Sequence, residues 1–272
     1  MDVRSYAFVY DEALSERRHE RDVAALETRL TTLGITGRTL KLAMFRSAKE
    51  TIESMVRHGV TTVVIVGDDR TLDKIMWFLP DAKVVLGYVP LLGTSRVAEP
   101  FGIPLGIGAC DILAARIIET IDVGVCEGRY FLSEATVAHT IASVFIEGRF
   151  SISPTTGGSI TVRNLFGDAT DGLLEVIVRP EPTGSRFRRR ASQGTNLFMR
   201  EGEIRSKDPI DLRVDEHVLN GFTFQFGIAP KKLKIIAGRN RRLAPLDVPL
   251  PEISTSPTLP STTVRTRVSH RS

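Results

Sequence analysis

Along roughly the first 120 residues, short apolar runs alternate with stretches whose apolar positions fall every third or fourth residue. Tyr6 to Tyr10 predicts a first strand, and the charged stretch after it sets Val23, Leu26, Leu30 and Leu33 on one helical face ending at Gly34. Thr39 to Met44 predicts a second strand. Ser47 with Glu50 then forms a capping box ahead of Ile52, Met55 and Val56, with Gly59 closing that helix. From Thr61 to Val66 every residue is Thr, Val or Ile, stiff β-branched side chains suited to a strand buried on both faces at the centre of a parallel sheet. Leu72, Ile75, Met76 and Leu79 recur at i, i+3, i+4 and i+7 on a helix that Pro80 stops. Lys83 to Val89 predicts a further strand, and Asp111 to Thr120 a helix with Ile112, Leu113, Ile117 and Ile118 turned inward. Strands alternating with helices predict an α/β domain over residues 1–121, a doubly wound, Rossmann-like parallel sheet.

After about Ile121 the pattern changes to short strand-like runs separated by the turn pairs Glu127-Gly128, Glu147-Gly148, Gly157-Gly158, Asp171-Gly172 and Asn220-Gly221. Residues 122–242 therefore read as a separate, mostly β, mainly antiparallel domain, with Leu173 to Val178 expected in a different sheet from Val63 to Val66. Residues 243–272 are rich in Pro, Ser and Thr, carry no apolar period, and predict a disordered basic tail.

Composition adds less. The 272 residues are 42% hydrophobic, enough for a sizeable core, and the net charge is only +4. The cations cluster late, in Arg186 to Arg190, Lys231 to Lys234 and Arg239 to Arg242, and either solvate loops or meet an anionic partner such as a membrane surface. No nucleic-acid partner is expected, and a homodimer is left open. Cys110 and Cys126 have neither metal-site spacing nor disulfide density, so both read as small core residues in a reducing compartment. No apolar run approaches the roughly 18 residues of a membrane span, and the first residues lack the apolar core of a signal peptide. A cytoplasmic protein with at most peripheral membrane contact is expected.

The candidate chemistry sits at the turn Gly67-Asp68-Asp69-Arg70-Thr71. It leaves the carboxyl end of the central strand and opens a helix, where unpaired N–H groups and the helix dipole favour a phosphate. An ordinary strand-to-helix turn capped by Asp69 is the plainer alternative. The turn resembles the GGDGT nucleotide loop of the diacylglycerol kinase and NAD kinase superfamily, with Asp68 and Arg70 in place of its second and third glycines. Gly87 to Ser95 resembles that family's GxxPLGTxN, with Gly93, Thr94 and Ser95 at its end and Arg96 where Asn is expected. Phe101-Gly102-Ile103-Pro104 is similar to "LGIP", Ile121-Asp122-Val123-Gly124 to "IDLG", Phe131 to Val137 to "FLNxASIG", and Asp171 to Val176 to "DGLLDV". Val214-Asp215-Glu216-His217 stands where "xDGE" belongs, and Ile228-Ala229-Pro230 with Leu233 resembles the terminal "VxPxALxV".

The resemblance implies an N-terminal α/β domain binding nucleotide and a C-terminal antiparallel β-sandwich over residues 122–242, with the site in the cleft between them. Taken as a lipid kinase of the diacylglycerol kinase type, the chain would transfer a phosphoryl group from ATP, with Mg²⁺, to a lipid hydroxyl. The resemblance implies nucleotide contacts from Gly67, Asp68, Arg70, Thr71, Gly93, Thr94 and Ser95, catalytic roles for Asp69, Asp215 and His217, and a structural Mg²⁺ loop at Asp168, Asp171 and Leu173. A plain Asp-Gly turn is the other reading of that loop. The departures bear on activity: one carboxylate about 4 Å from one phosphate charge costs on the order of 4 kcal/mol at an effective dielectric near 20. His217 replaces the Glu that the family would use as base, and a neutral imidazole can still accept a proton. The resemblance is therefore compatible with a lipid kinase of reduced or lost activity, with a non-catalytic relative that binds nucleotide or anionic lipid, and with an NAD kinase-type activity on a soluble acceptor.

Overall fold

The computed structural model describes residues 5–41, 48–154, 157–165, 169–181 and 194–243. The first half holds β1 (Tyr6–Tyr10), α1 (Glu20–Thr32), β2 (Gly37–Lys41), α2 (Ala48–Arg57), β3 (Thr62–Gly67), α3 (Asp69–Met76), β4 (Val85–Pro90) and α4 (Ala109–Ala115). The second half holds β5 (Ile117–Cys126), β6 (Arg129–Phe131), β7 (Glu134–Thr140), β8 (Ser143–Ile146), β9 (Phe150–Ile152), β10 (Gly158–Arg163), β11 (Leu174–Pro180), β12 (Thr195–Met199), β13 (Glu201–Val214) and β14 (His217–Ala237). β1 to β4 are parallel, and β3 lies between β1 and β4 with every residue buried, as its β-branched run requires. β7 and β10 to β13 pair antiparallel.

One expectation fails at this level: β3 and β11 do not lie in separate sheets. A single ladder of 14 strands runs β12-β11-β10-β7-β13-β14-β4-β3-β1-β2 along its main path. The 21 residues of β14 make this possible. Its first part pairs with β13 and its later part with β5, while Lys234 and Ile235 also lie parallel to Val85 and Leu86 of β4. A register break between Ala229 and Leu233, with Lys231 at φ 50°, bends the strand from one half into the other. The side chains still form two separate apolar cores. One gathers Val64, Ile65, Leu72, Ile75, Leu86 and Leu113, and the other Val137, Ile160, Val176, Ile204, Phe224 and Phe226.

Three local expectations are also corrected. The helix expected over Asp111 to Thr120 ends at Ala115, because Arg116 takes a left-handed conformation, φ 50°, that closes the last turn. Ile117 and Ile118 then enter β5 against Ala237 and Ile236, a better use for β-branched residues. Asn220-Gly221 is no turn but lies inside β14, where Asn220 Nδ2 donates to Asp211 Oδ1 at 2.7 Å and Gly221 leaves room for the Phe224 ring. The hairpin falls earlier, at Asp215-Glu216. Finally, the face expected to continue to Leu79 is cut after Met76, and Leu79–Ala82 forms a separate 3₁₀ turn with Pro80 near its start. Glu127-Gly128 does make a two-residue hairpin and Glu147-Gly148, with Arg149, a three-residue one, all four Glu and Gly residues having positive φ. Residues 42–47, including Ser47 and the end of the expected second strand, lie outside the described residues, as do Arg186 to Arg190 and the tail from residue 244.

Candidate functional site

The site begins where β3 ends. Gly67 must be glycine, since a Cβ there would stand 2.5 Å from Thr71 Oγ1 and 3.0 Å from Asp11 Cβ. Asp68, rather than the expected Asp69, leaves the strand in extended backbone and caps α3: its Oδ1 accepts the Thr71 N–H at 2.9 Å, and its own N–H reaches Thr71 Oγ1. Thr71, fully buried, donates its hydroxyl to Asp11 Oδ2 at 2.5 Å. Asp11, at the end of β1, also accepts the Ala13 N–H. Two carboxylates thus close around the start of α3, and a capping side chain already holds an N–H of the kind that would cradle a phosphate.

Asp69 is equally committed. Its Oδ1 accepts from the Tyr88 hydroxyl at 2.9 Å and from Ser95 Oγ at 2.5 Å, and its Oδ2 accepts the Arg96 N–H at 2.8 Å. Ser95 Oγ in turn accepts the Ala98 N–H, so Asp69 fastens the loop after β4 to the start of α3. Burial raises the Tyr88 phenol well above its ordinary range, which keeps it a donor to Asp69. Gly93 supplies a positive-φ turn in this loop, φ 78°, and Thr94 lines a different, mainly apolar cavity of about 920 Å³ together with Ile103, Leu105 and Ile117.

Opposite α3 stands the β13–β14 hairpin. Asp215, at φ 47°, accepts three backbone N–H bonds from Leu132, Ser133 and Glu134 at 2.7, 2.9 and 3.0 Å. Desolvation outweighs those donors and pushes its carboxyl up to about 6. His217 Nδ1 meets Asp73 Oδ2, which also accepts the Glu216 N–H at 3.2 Å. Burial raises the Asp73 carboxyl, against the opposing pull of His217. A cavity of about 210 Å³ lies between these elements, and Asp69, Asp73, Glu134, Asp215 and Glu216 all contribute to its lining.

Four of the residues that depart from the kinase-like motifs are paired across this cleft. Arg70, at the third glycine, lies 3.7 Å from Glu216, at the glycine of "DGE". Arg96, at the expected Asn, meets Glu134 at 2.7 Å, and His217, at the expected Glu, meets Asp73. Asp11, Asp73, Glu134 and Glu216 were not legible as site residues from motifs. Asp73 alone left a signal, standing four residues after Asp69 on the same helical face.

The structure therefore brings Gly67, Asp68, Asp69, Arg70, Thr71, Ser95, Asp215 and His217 to one cleft, but not Asp171 and Leu173. Asp171 Oδ1 accepts the Leu173 N–H at 2.8 Å, an Asx turn beside Asp122 and Lys231 that lines another cavity. Asp122, buried, spends one oxygen on the Lys231 N–H and the other on the Gly172 N–H. Asp168 lies outside the described residues. Among the described residues no three His, Cys, Asp or Glu side chains form a metal-holding group. At the start of α3 the Asp68 carboxylate occupies the Thr71 N–H. No helix among the described residues is long and apolar enough to cross a membrane.

No family model and no curated protein matches the chain. Solved structures do. A diacylglycerol kinase from Bacillus anthracis superposes with TM-score 0.69 at 12% identity, over 87% of this chain and 97% of its own. Two further structures assigned to diacylglycerol kinases of the same organism give 0.70 and 0.69, also at 12% identity and over 97% of their chains. The chain has their fold: parallel strands first, antiparallel strands after, and one strand shared between the two.

Proposed function

We propose that this chain is a lipid-kinase-fold protein that binds a ligand in the cleft between α3 and the β13–β14 hairpin without the phosphoryl transfer associated with that fold. The observation that carries this reading is that four substituted residues are engaged in ion pairs, Arg70 with Glu216, Arg96 with Glu134 and His217 with Asp73. A site losing function by drift accumulates unrelated changes, whereas Arg70 and Glu216, both substituted, pair with each other, and Arg96 and His217 each meet a carboxylate. Phosphoryl transfer needs open N–H donors for the phosphates, a metal to neutralise developing charge and a positioned base. In this cleft Asp68 takes a donor, Asp69 is used as a loop fastener, and His217 is turned to a carboxylate. Asp215 and Asp73 hold backbone and hairpin in place, so their role is positional.

The test is incubation of purified protein with labelled ATP, Mg²⁺ and mixed lipid acceptors including diacylglycerol. No transfer above a no-protein control is expected. Phosphorylated lipid that vanishes in Asp69→Asn would overturn the proposal and restore the alternative, an active lipid kinase with a compensated loop.

A further inference from the structure

The run of cations at Arg239 to Arg242 takes no part in the cleft and stands instead at the second cavity, of about 920 Å³. The two spaces share no lining residue. This second cavity opens where α4 stops at Ala115 and the chain, turned by the left-handed Arg116, enters β5 at Ile117. Its far wall is the segment leaving β14, which main-chain bonds tie back. The Gly238 N–H donates to the Phe101 carbonyl at 2.8 Å and the Arg242 N–H to the Pro100 carbonyl at 2.7 Å. With its walls held in this way the space is preformed, and its volume falls within the range of sites that bury most of a small ligand.

The lining is mostly apolar and in part open to water. Ile103, Pro104, Leu105, Ile112 and Ile117 contribute to it, yet Leu105 is 52% exposed and Ile107, two residues on, 37%. Single exposed apolar side chains are ordinary, but these continue an apolar cavity outward, leaving to water a surface that a hydrocarbon chain would cover. Charge sets the other end of the occupant. Arg241 is committed to Glu119 and to the Gly238 carbonyl, whereas the side chains of Arg239 and Arg242 have neither an ion pair nor a hydrogen bond among the described residues. Glu99 is the one acid in the lining, and Arg242, its backbone held to the adjacent Pro100, brings a cation beside it. That leaves Arg239, in the lining itself, to meet an anion, and a planar guanidinium matches the two oxygens of a carboxylate.

We propose that this cavity binds a single-chain fatty carboxylate, its hydrocarbon chain lying against Ile103, Leu105 and Ile117 and its carboxylate at the Arg239 guanidinium. The site is separate from the cleft and does not depend on what the cleft holds. The probe is decanoate, titrated as the monomer below micelle formation into the full chain, by calorimetry and by amide chemical shifts. Saturable binding is expected, with the amides of Leu105, Ala115 and Gly238 among those that shift. Octanoate, with two fewer methylenes to bury, should bind about tenfold weaker. The neutral and cationic counterparts, 1-decanol and decyltrimethylammonium, should each bind about fivefold weaker than decanoate or worse.

Two variants at exposed positions separate the chain from its head group. Ala115→Trp fills the cavity from the end of α4 and should abolish binding of decanoate and 1-decanol alike, in a protein that still melts cooperatively. Arg239→Gln, which removes no packing from the core, should weaken decanoate about fivefold and leave 1-decanol unchanged. Undiminished decanoate binding in either variant, equal binding of decanoate and octanoate, or no saturable binding at all would overturn the proposal. So would attachment to vesicles of phosphatidylcholine and phosphatidylglycerol without binding of monomeric decanoate, because the arginines would then serve a membrane surface rather than a cavity.

Discussion

Thr71 shows how one hydroxyl can decide a turn. It is fully buried, donates to Asp11 and is flanked by the Asp68 cap, so removing its oxygen leaves a buried carboxylate short of a donor. Thr71→Val, nearly isosteric, should destabilise the protein by about 1–3 kcal/mol in urea unfolding. Thr71→Ser should retain most of the stability. Asp215 adds a pH signature. Folded, its carboxyl holds a proton up to about pH 6, whereas unfolded it releases it near 3.9, so between those values the folded state binds the extra proton and this group's contribution falls as pH rises. Above about 6 both states are ionised and the contribution is constant. Asp215→Asn has no proton to lose. The stability of wild type minus that of the variant should therefore decline from pH 4 to 6.5 by roughly 1 kcal/mol or more, and stay level above. A flat difference across that range would show that the three N–H donors, not desolvation, govern the group.

At the scale of elements, the alternating half was legible because its signals are local. The β-branched run of β3 and the helical face of α3 say what they are without help from distant residues. The misreadings fall where a distant partner decides. Ile117 and Ile118 keep helical spacing with Ile112 and Leu113, yet pairing with β14 claims them for a strand. Asn220-Gly221 carries a turn signal but is overruled by its β13 partners, and the actual turn, Asp215-Glu216, lacks glycine altogether. The close approach of Gly238 to Gly102 is another long-range contact invisible in local pattern. A Cβ on Gly238 would stand 2.1 Å from the Gly102 carbonyl oxygen, a backbone atom that cannot rotate away. Gly238→Ala should therefore cost about 1–3 kcal/mol, the range for forced overpacking, and lower the melting temperature by several degrees.

At the scale of the molecule, β14 joins two apolar cores into one ladder, and the cleft beside it is fastened by side chains from both halves. The motifs pointed to this cleft, but they could not show that their own irregular residues answer one another, because Arg70 and Glu216 lie far apart in sequence. The exposed pairs add little stability: Arg70, with 76% of its side chain exposed, should give a change under about 0.5 kcal/mol when replaced by Ala. The central claim, that the α3 turn is closed to phosphate by its own side chains, is tested most directly by titrating Mg-ATP calorimetrically into wild type and into Asp68→Gly with Arg70→Gly. The account predicts binding weaker than about millimolar in wild type and at least tenfold tighter in the double variant, about 1.4 kcal/mol, as the carboxylate leaves the N–H groups. Micromolar binding to wild type that weakens in the double variant would contradict it, because Asp68 and Arg70 would then be holding the nucleotide rather than excluding it.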